Sequence, residues 1–167
     1  MEKELTLFGK DASNLIGALG EIIAWDTLRK IGIWAYKIGT WGFFPEGYPY
    51  WRKRVKKWCG VLTKEQAKFL EKKEQNQISE FDFIGFKCNR FAINLNNDEP
   101  NVKGVEGVYL IEVKTGRGAN IRYYIKNPMR AFSPENLEKA KRIGFKVVLI
   151  IVELLENWKC RINYREL

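Results

Sequence analysis

Asp82, Glu112 and Lys114 are the residues of this 167-residue chain best placed to do chemistry together. Glu112 and Lys114 close the apolar run of GVYLIEVKTGRG (107–118). Alternate side chains of a strand share a face, so Glu112 and Lys114 project together and Val113 the other way, with Cα atoms about 7 Å apart. Asp82 interrupts a second apolar run, FDFIGF, and Glu80 two residues earlier shares its face. If the two strands are neighbours, Asp82 and Glu112 converge at one end of a sheet. Converging carboxylates need positive charge beside them. A hard cation such as Mg²⁺ supplies it, taking oxygen ligands and keeping several waters. A lysine next to that ion can orient or activate water, or stabilise charge building on a phosphate. These groups suffice for phosphodiester hydrolysis. The chain contains no histidine, which removes histidine acid–base chemistry, Ser-His-Asp triads and His-ligated metals.

Glu21 adds a further carboxylate. Its helical neighbours at three and four residues are Gly17, Ala18, Ala24 and Trp25, none of which can pair with its charge. Gly17 and Gly20 allow close packing against a sheet. A carboxylate there wants a partner from elsewhere, and a metal site would serve. Each group alone has a plainer explanation: EVK as a solvated strand end, Asp82 as a turn or edge charge, Glu21 on an exposed helix face. Their joint occurrence, in this order and on these elements, favours chemistry.

The elements that would position them can be read from pattern. Residues 11–30 form a helix capped by Asp11 or Ser13, and 33–38 a strand. Residues 39–50, rich in Gly, Pro and aromatics, are a loop. Helix 63–74 has Thr63 and Gln66 at capping-box spacing. Residues 79–87 alternate as a strand, 90–95 pair with it across a tight turn, and 96–107 read as a polar loop. Strand 108–114 follows. Ser133-Pro134 opens a helix that runs to about Arg142. The β-branched run 145–154 is a central, doubly buried strand, and 158–164 an edge strand. The whole is one α/β domain, 1–167, with a mixed sheet flanked by helices. Residues 39–78 are a helical, aromatic and basic insert that could stand apart as a lobe.

GALGE on a first helix, SEFD on a strand, IEVK on the next, then a helix and a buried strand, together resemble the PD-(D/E)XK nuclease superfamily, which includes archaeal Holliday-junction resolvases and restriction endonucleases. The resemblance spans most of the chain outside 39–78. It implies a restriction-endonuclease-like core of αβββαβ type. It also implies Mg²⁺, replaceable by Mn²⁺, held by Asp82 and Glu112 with Glu21 and the Val113 carbonyl, with Lys114 as catalytic lysine. The products implied are 5′-phosphate and 3′-hydroxyl ends, and a homodimer is the analogy for cutting two strands. Phe81 stands where the motif has proline, and residues 88–106 lengthen the gap between Asp82 and Glu112. Asp98 and Glu80 are therefore alternative ligands.

The chain carries +9 at neutral pH, which favours a polyanionic partner, nucleic acid or an anionic membrane; the resemblance points to DNA. Arg52, Lys53, Arg54, Lys56 and Lys57 lie between Trp51 and Trp58, with Lys64, Lys68 and Lys72 on the next helix. Such a strip neutralises phosphates, and the tryptophans can stack on bases or wedge a duplex. Arg117, Arg122, Lys126 and Arg130 follow the catalytic strand, on loops that could grip the scissile backbone. The N-terminal stretch has no signal core and no run is long enough to span a membrane. Cys59, Cys88 and Cys160 are scattered without metal-ligand spacing. A cytoplasmic protein with reduced thiols and no membrane partner is expected. The reading is a Mg²⁺-dependent deoxyribonuclease, with endonucleolytic action favoured and the geometry of the substrate, structure-specific or not, left open. The alternatives are a DNA-binding protein on the same fold without cleavage and a membrane-surface or assembly protein.

Overall fold

A computed structural model describes residues 10–38, 61–75, 81–94, 99–157 and 159–167. It is α/β, a mixed five-stranded sheet flanked by helices. Helix α1 (Lys10–Lys30) leads to β1 (Ile33–Lys37), then α2 (Lys64–Gln75), β2 (Phe83–Asn94) and β3 (Glu99–Gly116). Helix α3 (Gly118–Lys126), a 3₁₀ turn (Pro128–Ala131) and α4 (Pro134–Arg142) come next, then β4 (Lys146–Leu154) and β5 (Cys160–Glu166). The strands lie in chain order; all neighbours are antiparallel except β3 and β4, which run parallel. The parallel pair requires a crossover, and α3 and α4 supply it.

Alternation along the strands divides the core in two. Phe83, Ile111, Val113, Val148 and Ile150 meet Ala24 and Leu28 of α1 on one face. Ile84, Leu110, Leu149 and Ile151 meet Phe69 and Leu70 of α2, Ile121 of α3 and Leu137 of α4 on the other. Strand β4 is therefore buried on both sides from Val147 to Glu153, as its β-branched run requires. Leu62, Phe69 and Leu70 join α2 to this core, and the Phe69 and Phe145 rings pack 6.0 Å apart. This part of the 39–78 segment is thus continuous with the sheet; residues 39–60 lie outside the described part.

Helix starts follow their chemistry. Thr63 and Gln66 form the expected capping box: Gln66 N donates to Thr63 Oγ1 at 3.2 Å and Thr63 N to Gln66 Oε1 at 3.0 Å. Ser133 Oγ accepts from Asn136 N, with Pro134 in the first turn of α4. Helix α1 already runs at Lys10, so Asp11 and Ser13 fall inside it rather than before it.

Three expectations need correction. Residues 83–94 are one continuous strand, not two joined by a turn, and β3 begins at Glu99, so most of the expected loop 96–107 is strand. Asn94 pairs with Glu99 and Arg90 with Lys103, and the register shifts between Lys87 and Cys88. The shift absorbs one extra residue, Glu106, as a β-bulge does; two residues before it Gly104 sits at φ +64, where an L side chain would be strained. The sequence of 96–107 is polar and glycine-bearing, and so resembles a loop when read without its partner strand. Lastly, the basic segment after β3 is helix α3, not loop, with only Ile121 buried.

Candidate active site

The β2–β3 ladder brings the two motif carboxylates together. Phe83 pairs with Ile111, and Asp82 N donates to Ile111 O at 2.8 Å, so Asp82 stands opposite Glu112 at the start of β2. The carboxylate then continues the ladder with its side chain: Asp82 Oδ2 accepts from Val113 N at 2.8 Å. Its other oxygen, Oδ1, accepts from Lys37 Nζ at 3.0 Å.

Glu112 is 7 % exposed, on the face of Leu110. Burial pushes its pKa well above the ordinary carboxylate value and the neighbouring Asp82 charge adds to this, while Lys114 opposes both. Lys114 Nζ donates to Glu112 Oε1 at 2.6 Å and lies 5.6 Å from the Tyr124 ring of α3. Burial draws the Lys114 pKa down, but Glu112 outweighs it and the net direction is up. Lys114 is thus held as an ammonium by its pairing with Glu112.

Glu21 arrives from α1 on the opposite face. Gly20 makes this possible: a Cβ there would lie 1.6 Å from Thr115 Oγ1, so only glycine lets the helix rest on β3. Gly17, paired with it in the sequence reading, meets nothing within 4 Å. Glu21 Oε1 accepts from Lys37 Nζ at 2.7 Å, and among the described residues Oε2 is buried with no hydrogen-bond partner. Burial raises the Glu21 pKa, with Lys37 pulling against it.

Lys37 was not foreseen. It ends β1 with a side chain only 4 % exposed and bridges Glu21 and Asp82. The available signal was a lysine in the alternation of Ile33 and Ala35 along IWAYK, which places it on the buried α1 face. Glu153 was also missed, although it is the one acid in the apolar run KVVLIIVEL. It is 1 % exposed and accepts from Arg122 Nε at 3.1 Å and Arg161 Nη1 at 3.2 Å. Glu153 pairs with Gly116 and Lys114 with Ile151, so the two arginines flank the face that carries Glu112 and Lys114. Arg117 just before α3, Lys126 at its end and Arg130 after it are exposed, as are Lys64 and Lys68 on α2. Arg52, Lys53, Arg54, Lys56 and Lys57 lie outside the described residues, as do Glu80 and Asp98. The ribbon end that leads to Asp98, at Asn94 and Glu99, is the end remote from Asp82.

Among the described residues, no group of three or more Asp, Glu or Cys side chains is arranged to hold a metal ion unaided. Each carboxylate of the site is engaged by a lysine instead. The donor set nonetheless fits Mg²⁺, which binds through one or two carboxylates and retains its waters. Among the described residues Glu21 Oε2 is buried with no hydrogen-bond partner, acceptor capacity that the lysines leave unfilled. No helix among the described residues is long and apolar enough to cross a membrane. In comparisons with protein-family models, curated proteins and solved structures, nothing matches this chain.

Proposed function

We propose that this chain is a Mg²⁺-dependent deoxyribonuclease on a restriction-endonuclease-like core. The observation that carries the reading is the meeting of Asp82 and Glu112 across the β2–β3 ladder, with Lys114 Nζ 2.6 Å from Glu112 Oε1. The order α1, β1, β2, β3, α4, β4 supports an αβββαβ core, with α2, α3 and β5 added to it. The net charge of +9 favours a nucleic-acid substrate.

Asp82 and Glu112 would hold the ion, with Glu21 near by. Mg²⁺ bound there lowers the pKa of its water and neutralises charge on the phosphate. The chain's own residues do the rest. The Val113 N–H fixes the Asp82 carboxylate, because a main-chain donor cannot rotate away. Lys114, charged throughout the neutral range, donates to a phosphate oxygen or a water as negative charge develops. Tyr124 limits where its ammonium can swing. Arg122 and Arg161, held by the buried Glu153, present their remaining N–H groups to the backbone of the substrate.

A labelled panel of duplex, single strand, flap and four-way junction, with an RNA arm, tests the reading in Mg²⁺, Mn²⁺ or EDTA. Metal-dependent cutting is expected, with Asp82→Ala, Glu112→Ala and Lys114→Ala each losing at least about a hundredfold in rate. The second reading, DNA binding without cleavage, is favoured by one observation: a lysine already engages each carboxylate of the site. Tight DNA binding unchanged by EDTA, with no product from any substrate, would select it.

A further inference from the structure

A buried ammonium is costly unless it is paired and hydrogen-bonded. The Lys37 side chain, at 4 % exposure, is less exposed than either carboxylate it bridges. It reaches Glu21 Oε1 at 2.7 Å and Asp82 Oδ1 at 3.0 Å, and its ammonium lies 5.2 Å from the Phe83 ring. Its strand is pinned to the same residue, because Ile38 N donates to Asp82 O at 2.9 Å. One cation thus bridges two carboxylates from different elements, which is also what a divalent ion does.

Resting on the nuclease reading above, we infer that Lys37 is the built-in cation of the site. It holds the place between Glu21 and Asp82 that a second divalent ion would take, and so confines the site to one ion on the Asp82–Glu112 side. Three features of the arrangement lead there. Glu21 lies on the α1 face and Glu112 on the opposite face, so one ion does not replace both lysines. Asp82 stands between them, and each of its oxygens has a second lone pair beyond the bond it already accepts. Glu21 gives one oxygen to Lys37 and, among the described residues, leaves the other buried without a partner, as a ligand whose place has been taken by an ammonium would be. Without Lys37, Glu21 and Asp82 would face each other uncompensated, and a second ion would be drawn in.

The test counts Mn²⁺ ions per full-length chain by titration calorimetry and by the fall in free-ion electron paramagnetic resonance signal. The expected counts are one for wild type, two for Lys37→Met and one for Lys37→Met with Glu21→Gln. An equal count in wild type and Lys37→Met overturns the inference while leaving the nuclease reading in place. No ion bound by either protein overturns both. Should Lys37→Met fail to fold by circular dichroism, Glu21→Gln decides the matter with Lys37 in place. Its Mn²⁺ count should stay at one; a count of zero would make Glu21 a ligand of that ion and sink the proposal.

Discussion

Glu112 binds its proton more tightly in the folded protein than in the unfolded chain, because burial beside Asp82 raises its pKa. Between the ordinary value of 4.5 and the raised one, the folded state carries more protons. Stability of the metal-free protein at this residue therefore rises as pH falls through the raised pKa, and is lost again above it. Glu21, also raised by burial, contributes with the same sign. Urea midpoints of metal-free protein should increase from pH 7 toward about 5, and Glu112→Gln should flatten that rise and stabilise the protein at pH 7. A midpoint that falls steadily with pH in both proteins would show that the buried carboxylates carry no such penalty. At this scale, Asp82, Glu112, Lys114 and Glu21 were legible, because acids interrupting apolar runs need partners. Lys37 was not, since a lysine that ends a short strand looks like a solvated terminus until helix α1 is laid over it. Glu153 escaped notice for the converse reason: its run was so apolar that the strand was read and the acid inside it passed over.

Helix α1 carries Glu21 to the sheet, and the distance of approach is set at Gly20. An added Cβ there would meet Thr115 Oγ1 at 1.6 Å, and Thr115 Cβ and Cγ2 at 2.6 Å. Gly20→Ala must therefore lift the helix or displace Thr115, at a cost of about 1–3 kcal/mol. Thr115→Ala removes the nearest contact but leaves the Cβ, so the double variant should recover part of the loss in a denaturation series. Gly17→Ala, with open space at that position, should cost nothing measurable. A different element sets the arginines. Glu153 of β4 is buried, while Arg122 of α3 and Arg161 of β5 are largely exposed. Removing both arginines leaves a buried carboxylate unpaired, so Arg122→Ala with Arg161→Ala should cost about 3 kcal/mol, and adding Glu153→Leu should restore most of it. Elements whose sequences carry caps or a sustained period, such as α2, α4 and β4, could be read directly. The β3 side of the distal β2–β3 ribbon could not, because residues 99–107 are polar and glycine-bearing and become strand by pairing with β2. Helix α3 was hidden by Gly116 and Gly118 at its start and by a face that buries only Ile121.

For the molecule as a whole, an excess of nine positive charges is a statement about association before it is one about cleavage. Binding that neutralises phosphates releases counterions, so log K falls with log salt at about 0.9 per phosphate contacted on duplex DNA. Contact with about six phosphates gives a slope near −5. Arg117 and Lys126 are exposed at either end of α3, beyond the C-terminal end of β3. Neutralising both should reduce the magnitude of the slope by about 1–2 and weaken binding to duplexes of different sequence alike. Glu112→Gln belongs to a different function of the surface and should leave the slope unchanged while abolishing metal-dependent cutting. Fluorescence anisotropy of a labelled duplex in EDTA, titrated at several salt concentrations, measures all of these without turnover. An unchanged slope in the Arg117→Ala, Lys126→Ala double variant would move the nucleic-acid face away from α3, leaving Arg52, Lys53, Arg54, Lys56 and Lys57 as the next residues to neutralise. A slope near zero in wild type would remove nucleic acid as the partner, since no phosphate-gripping surface binds without releasing ions.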